Sequence, residues 1–179
     1  MKVVESLLMI TFLIYFGSCI ESSLTGEPDA LQESGYPNVD PALWTHFESF
    51  EAAAAQLGYP LDIAEIGVTA QIEPISEDRV AGQCSYGVRR SFREITIDRD
   101  FWNQATPLYR EYIIFHELGH CVLFRDHVDA CFANNTWTSI MRSGHGSCFD
   151  NYTSRTRPYY IDELFSSLSP DGSEDMIGP

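Results

Sequence analysis

Apolar residues recur along this chain in three rhythms, and each predicts a different kind of segment. A nearly unbroken run from Leu7 to Phe16 follows Lys2; it is too short to span a bilayer comfortably and suits the core of a signal peptide. From Leu43 onward, Phe47, Phe50, Ala54 and Leu57 return at spacings of four and three, which is one face of a helix. Asp40 can cap that helix, Pro41 can open it and Gly58 can end it. The aromatic stripe on this helix is read as core packing, with His46 on it and away from any motif.

Alternation comes next. Ile66, Val68, Ala70 and Ile72 interleave with Gly67, Thr69 and Gln71 before Pro74, so the spacing predicts a strand that the proline ends. Val80 to Tyr86 predicts a second strand and Glu94 to Asp98 a third, with Ile95 and Ile97 on one face. Asp98 to Trp102 reads as a polar turn ending in an aromatic anchor. Pro107 is placed to open another helix, because Tyr112, Phe115, His116, Leu118, Gly119 and Val122 fall on related faces. The order of elements predicts an α+β fold: a small twisted mixed sheet, an N-terminal helix and a second, motif-bearing helix, then a loop-rich C-terminal part with a final helix.

Length and composition narrow the picture. At 179 residues, 44% of them apolar and 13% aromatic, the chain suffices for one domain with a real core. Residues 1–18 are read as a signal peptide, 19–38 as a flexible tether rich in Ser, Gly, Pro and acidic residues, and 39–179 as one domain. A net charge of −15 argues against nucleic acid, because a phosphate backbone requires clustered Lys and Arg. Loss of residues 1–18 removes one Lys and one Glu and leaves that charge unchanged. Gly17-Ser18-Cys19 resembles a bacterial lipoprotein cleavage site, so Cys19 is expected to become a lipidated first residue that anchors the protein to a membrane. The alternative is ordinary cleavage that releases a soluble, secreted protein. Cys84, Cys121, Cys131 and Cys148 remain, an even number in an exported chain, and we expect two disulfides, Cys84 with Cys121 and Cys131 with Cys148.

The chemistry sits in His116-Glu117-Leu118-Gly119-His120. Histidines four apart share a helix face, so both imidazoles can reach one zinc ion at about 2.0 to 2.1 Å. Glu117 then lies beside the metal, where it can act as general base on water. His127 supplies a third imidazole, and Ser139-Ile140-Met141 follows.

These residues together resemble the metzincin zinc endopeptidases. Ala81 to Gly87 and Ile95 to Trp102 look like strand and pre-helix segments of matrixin catalytic domains. The chain is also similar to the small zinc metallopeptidase lipoproteins of bacteria, in which a histidine follows seven positions after the second of the motif. The resemblance covers about residues 40 to 165. It implies a metzincin-like zincin fold, one catalytic zinc on His116, His120 and His127, Met141 as an apolar floor under the imidazoles, and cleavage of peptide or protein substrates by a monomer. Substrate is expected to lie extended along Cys84 to Tyr86. One departure stands out: Leu123 occupies the position of the usual turn glycine, and Asp126 that of the last ligand. Either the helix runs further and a turn through Phe124 and Arg125 delivers His127, or Asp126 binds, as an aspartate does in the snapalysin branch. Glu163 on the last helix would be the ligand in a gluzincin arrangement, which leaves His127 and Met141 unexplained. Tyr152, Tyr159 and Tyr160 are candidates for oxyanion stabilisation, His145 is read as a rim residue, and Asp98 and Asp100 as an acidic turn with calcium an unsupported option. The rival functions are an inactive zinc-site lipoprotein that binds peptides or proteins, and a zinc hydrolase of non-peptide bonds.

Overall fold

The computed structural model describes residues 35–166 and 168, which fall within one compact unit. The signal peptide, Cys19 and most of the tether lie outside these residues. Packing begins earlier than Asp40: Tyr36 and Val39 are buried, the Tyr36 hydroxyl donates to Glu51 Oε2 at 2.7 Å, and Val39 bridges Ala70. Two apolar side chains in a polar stretch are enough to draw it onto the core.

Helix α1 spans Trp44–Gln56, entered through a 3-10 turn at Pro41–Leu43 whose first amides are capped by Asp40. It buries Phe47, Phe50, Ala53 and Ala54, with Phe50 set edge-on against Phe115 at 5.2 Å between ring centroids. The short helix α2, Ile63–Ile66, ends at Gly67 with φ of 78°, a left-handed conformation that glycine adopts without penalty. The first strand therefore starts later than the alternation suggested. Strand β1 is Val68–Glu73, β2 is Gly82–Tyr86 and β3 is Arg93–Asp98.

The three strands make a mixed sheet in the order β1-β3-β2, with β1 parallel and β2 antiparallel to β3. One face of β1 and β3 buries Val68, Ala70, Ile95 and Ile97 against the helices, so α+β is the class. Residues 98–102, expected to form a polar turn, instead cap and open helix α3, Arg99–Gln104. Asp98 explains it: its carboxylate accepts from the amides of Phe101 and Ile75 at 2.8 and 3.0 Å, an N-cap that holds its pKa below the ordinary range. With both oxygens on backbone amides, Asp98 serves the helix start.

Helix α4, Pro107–Cys121, is capped by Thr106 and buries nine of its fifteen residues. It lies under β2, to which Cys121 is joined by a disulfide with Cys84, Cα to Cα 5.8 Å. A second disulfide, Cys131–Cys148, spans 5.9 Å between Cα atoms. The pairing is the one expected, and it indicates an oxidising or extracellular environment. Beyond α4 the chain runs as loops until helix α5, Arg157–Phe165. No helix among the described residues is long and apolar enough to cross a membrane.

Candidate metal centre

Helix α4 buries Ile113, Ile114, Phe115 and Leu118 and sets His116 and His120 one turn apart on a shared face. His116 is buried and its Nδ1 lies 2.9 Å from the carbonyl oxygen of Ile140. His120 is half-buried, with Nδ1 2.6 Å from the carbonyl of Arg125. A carbonyl accepts only, so each Nδ1 carries the proton and each Nε2 keeps its lone pair, a tautomer assigned from the hydrogen-bond network. Burial pushes His116 down to about 3 and lowers His120 as well, so both rings are neutral donors.

The third imidazole is exposed. His127 arrives through a turn in which the Val122 and Leu123 amides donate to the Leu118 carbonyl and the Arg125 amide to Gly119 O. Phe124 has φ of 53°, a conformation costing of order 1–3 kcal/mol for a residue other than glycine. Its ring lies under the Arg90 guanidinium, 3.4 Å from Cζ to centroid, and edge-on to Tyr86 at 5.8 Å. Contacts of this kind contribute roughly 0.5–1 kcal/mol each and offset much of the strain. The left-handed residue thus falls one position after Leu123, and no glycine is needed.

The three rings converge. His120 Nε2 lies 3.1 Å from His116 Nε2 and 3.1 Å from His127 Nε2, and the donor atoms of all three lie within 4.8 Å of one another. Tetrahedral ligands at 2.0–2.1 Å from one ion stand about 3.3 Å apart, close to this spacing. Lone pairs held so near repel unless a cation lies between them. The donor set and its geometry therefore fit a metal ion, and among the described residues these three histidines form the one such group.

Asp126 and Glu163, the other candidate ligands, are not in it. Glu163 receives Arg125 Nη2 at 2.6 Å and the Ser139 hydroxyl at 2.8 Å, while Arg125 Nη1 donates to the carbonyls of Glu163 and Leu164 at 2.7 and 3.0 Å. Arg125 therefore grips the C-terminus of α5 with its side chain and holds His120 with its carbonyl. Ser139 also accepts from the Met141 amide at 2.9 Å. The sequence placed Arg125 in the turn and Ser139 at the start of the Met141 segment but gave neither side chain a role; an arginine inside a polar loop reads as solvated until its partners are known.

Met141 is fully buried against Gly119, where an added Cβ would lie 2.4 Å from Met141 Sδ. Glu117 is buried too. Its carboxylate packs so closely on β2 that a Cβ on Gly82 would come within 2.7 Å of Oε1, and burial alone pushes its pKa up to about 8; a nearby cation opposes that shift. His116, Glu117 and His127 line a cavity of about 700 Å³ whose other walls include Val80 to Gly82, Tyr109, Tyr112 and the 142–145 loop, with His145 at its rim.

The three tyrosines named from sequence are engaged elsewhere. Tyr152 donates to Glu111 Oε1, Tyr159 to Thr138 O and Tyr160 to Trp137 O, each at 2.7 Å. His46 stands edge-on to Trp102 at 5.7 Å. Comparison with protein-family models, with curated proteins and with solved structures gives no match.

Proposed function

We propose that this protein is an exported zinc-dependent endopeptidase of the metzincin type. The observation that carries the reading is the convergence of three Nε2 atoms beside a buried carboxylate, in a cleft bordered by a free strand edge. Three imidazoles suit zinc and leave one position open. Bound there, zinc supplies a Lewis acid that sharpens the acidity of water and polarises a carbonyl.

Glu117 takes a proton from the attacking water on its carboxylate and later returns it to the leaving amine. Its burial beside Gly82 holds the carboxylate in one place, so the proton is moved over a fixed distance. Ile140 O and Arg125 O keep His116 and His120 in the donor tautomer.

Strand β2 orients substrate. Ala81 O accepts from Asp98 N and Gly87 N donates to Phe92 O, so odd-numbered residues face β3. Gly82, Cys84 and Tyr86 therefore turn their amides and carbonyls to the outer edge, where an extended peptide can add as a further strand. That edge favours a polymer backbone over a small non-peptide substrate.

The test is metal analysis of the purified protein with digestion of a denatured protein mixture. One zinc per chain and fragmentation abolished by chelator are expected, and Glu117→Ala should keep the zinc and lose cleavage by at least about 10²-fold. Undiminished cleavage by that variant would remove Glu117 from its role. Zinc binding without any cleavage by the unaltered protein would favour a peptide-binding function.

A further inference from the structure

We propose that Arg142 is a specificity residue that binds a carboxylate of the substrate beside the scissile bond, so that acidic peptides are selected. The inference rests on the endopeptidase reading and names the substrate class for the same cleft.

Arg142 lines the cavity together with His116, Glu117 and His127. Its guanidinium lies over Trp137, with Cζ 3.1 Å from the ring centroid. That platform is rigid: Trp137 is buried, its Nε1 donates to Cys148 O at 2.8 Å, and Cys148 is fixed by its disulfide. Tyr112 links this platform to the metal site, its ring 5.9 Å from Trp137 and 6.2 Å from His116 between centroids. Two neighbouring rings, Trp137 and Tyr112, thus lead from the cation to His116, and Arg142 and His116 face the same cavity.

Among the described residues no carboxylate forms a salt bridge with it; Asp129 and Tyr112 are its polar neighbours. The ion pairs among the described residues are Arg125 with Glu163 and Arg157 with Glu111, and Arg142 Nε is buried without a hydrogen-bond partner. Asp129 commits its two oxygens to the amide and hydroxyl of Ser143 at 2.8 and 2.7 Å. The cavity wall carries two arginines, Arg79 and Arg142; Arg79 is exposed, whereas Arg142 is half-buried on an aromatic platform. A half-buried guanidinium has given up water that a bidentate carboxylate replaces with two charge-assisted hydrogen bonds. The carboxylate can belong to an Asp or Glu side chain or to a free C-terminus.

Matched peptides carrying Glu, Gln or Lys next to one cleavable bond, each with a free or an amidated C-terminus, test the proposal. The unaltered protein should cleave the Glu peptide about tenfold better than the Gln peptide in kcat/KM. In Arg142→Gln that ratio falls to about one, in Arg142→Lys it is intermediate because the bidentate fork is lost, and in Arg142→Glu preference moves to Lys. Preference that follows the free terminus instead identifies the terminal carboxylate as the ligand. Calorimetry with the Glu117→Ala protein reads the same ratios as affinities without turnover. Equal cleavage of Glu and Gln peptides, or a preference that survives Arg142→Gln, overturns the inference and leaves the hydrolase reading intact. Arg142-dependent binding with no cleavage by the unaltered protein overturns the hydrolase reading instead.

Discussion

Gly119 stands between the two helix histidines in sequence and touches Met141 in space, and its missing side chain sets the height of the helix above that methionine. Alanine there gains up to about 1 kcal/mol of helix propensity. It also places a Cβ 2.4 Å from Met141 Sδ and 3.2 Å from Leu164 Cδ1, in a core where overpacking costs about 1–3 kcal/mol. The clash outweighs the propensity, so Gly119→Ala should lower stability by about 1–2 kcal/mol in chemical denaturation and weaken metal retention during chelator titration. Stability at or above that of the unaltered protein would show that Met141 moves aside freely. At this scale the sequence was most informative where one residue type serves one purpose. His116 and His120 were legible from spacing alone, whereas the glycine read as just another member of a helix face because its partner lies 22 positions away.

Two arginines join the α4 region to α5: Arg157 pairs with Glu111, and Arg125 with Glu163. Arg125 belongs to the turn after α4, yet its guanidinium holds the carboxylate and terminal carbonyls of α5, where a cation also opposes the helix dipole. Both partners are shielded, at 13% and 17% side-chain exposure. Removal of one member of such a pair strands the other and costs roughly 3–5 kcal/mol if fully buried; partial exposure reduces that to about 2–3 kcal/mol. Arg125→Met should therefore destabilise by that amount and also weaken metal binding, and Glu163→Gln in the same chain should restore part of the stability. Additive losses in the double variant would argue against a coupled pair. Helices α1 and α4 were predictable because a proline, Pro41 or Pro107, opens each segment and a long apolar period follows. Helix α3 was missed because six residues are too few to show a period, and the decisive cap, Asp98, looked like one more acid in a polar turn. The final helix was foreseen without bounds, since its contacts with Arg125 are not local.

At the scale of the whole molecule one cross-link ties the sheet to helix α4 and the other ties two stretches of the C-terminal loops together. Cys84–Cys121 closes a loop of 37 residues, for which the chain-entropy account gives about 4 kcal/mol of stabilisation, with 2–4 kcal/mol typical. Replacing both cysteines by serine should shift the urea midpoint accordingly and loosen the edge of β2, seen as faster amide exchange at Gly82 to Tyr86. Unchanged exchange there would mean that packing on α4 already fixes the strand. The even cysteine count foretold the cross-links; Cys84 with Cys121 followed from where β2 and α4 were expected to lie, and Cys131 with Cys148 from the loop around Met141. The reach of the packed unit back to Tyr36 was not foreseen, because one tyrosine in a polar stretch has no rhythm to reveal it. A consequence follows from the positions of the groups that hold the imidazoles. His116 is oriented by Ile140, and His120 by a residue whose own anchor is at 163 and 164. A nascent chain emerging from the ribosome therefore exposes both rings well before anything exists to aim them. The order of synthesis runs opposite to the order of assembly, and the three-imidazole corner is finished only after residues 163 and 164 have been made.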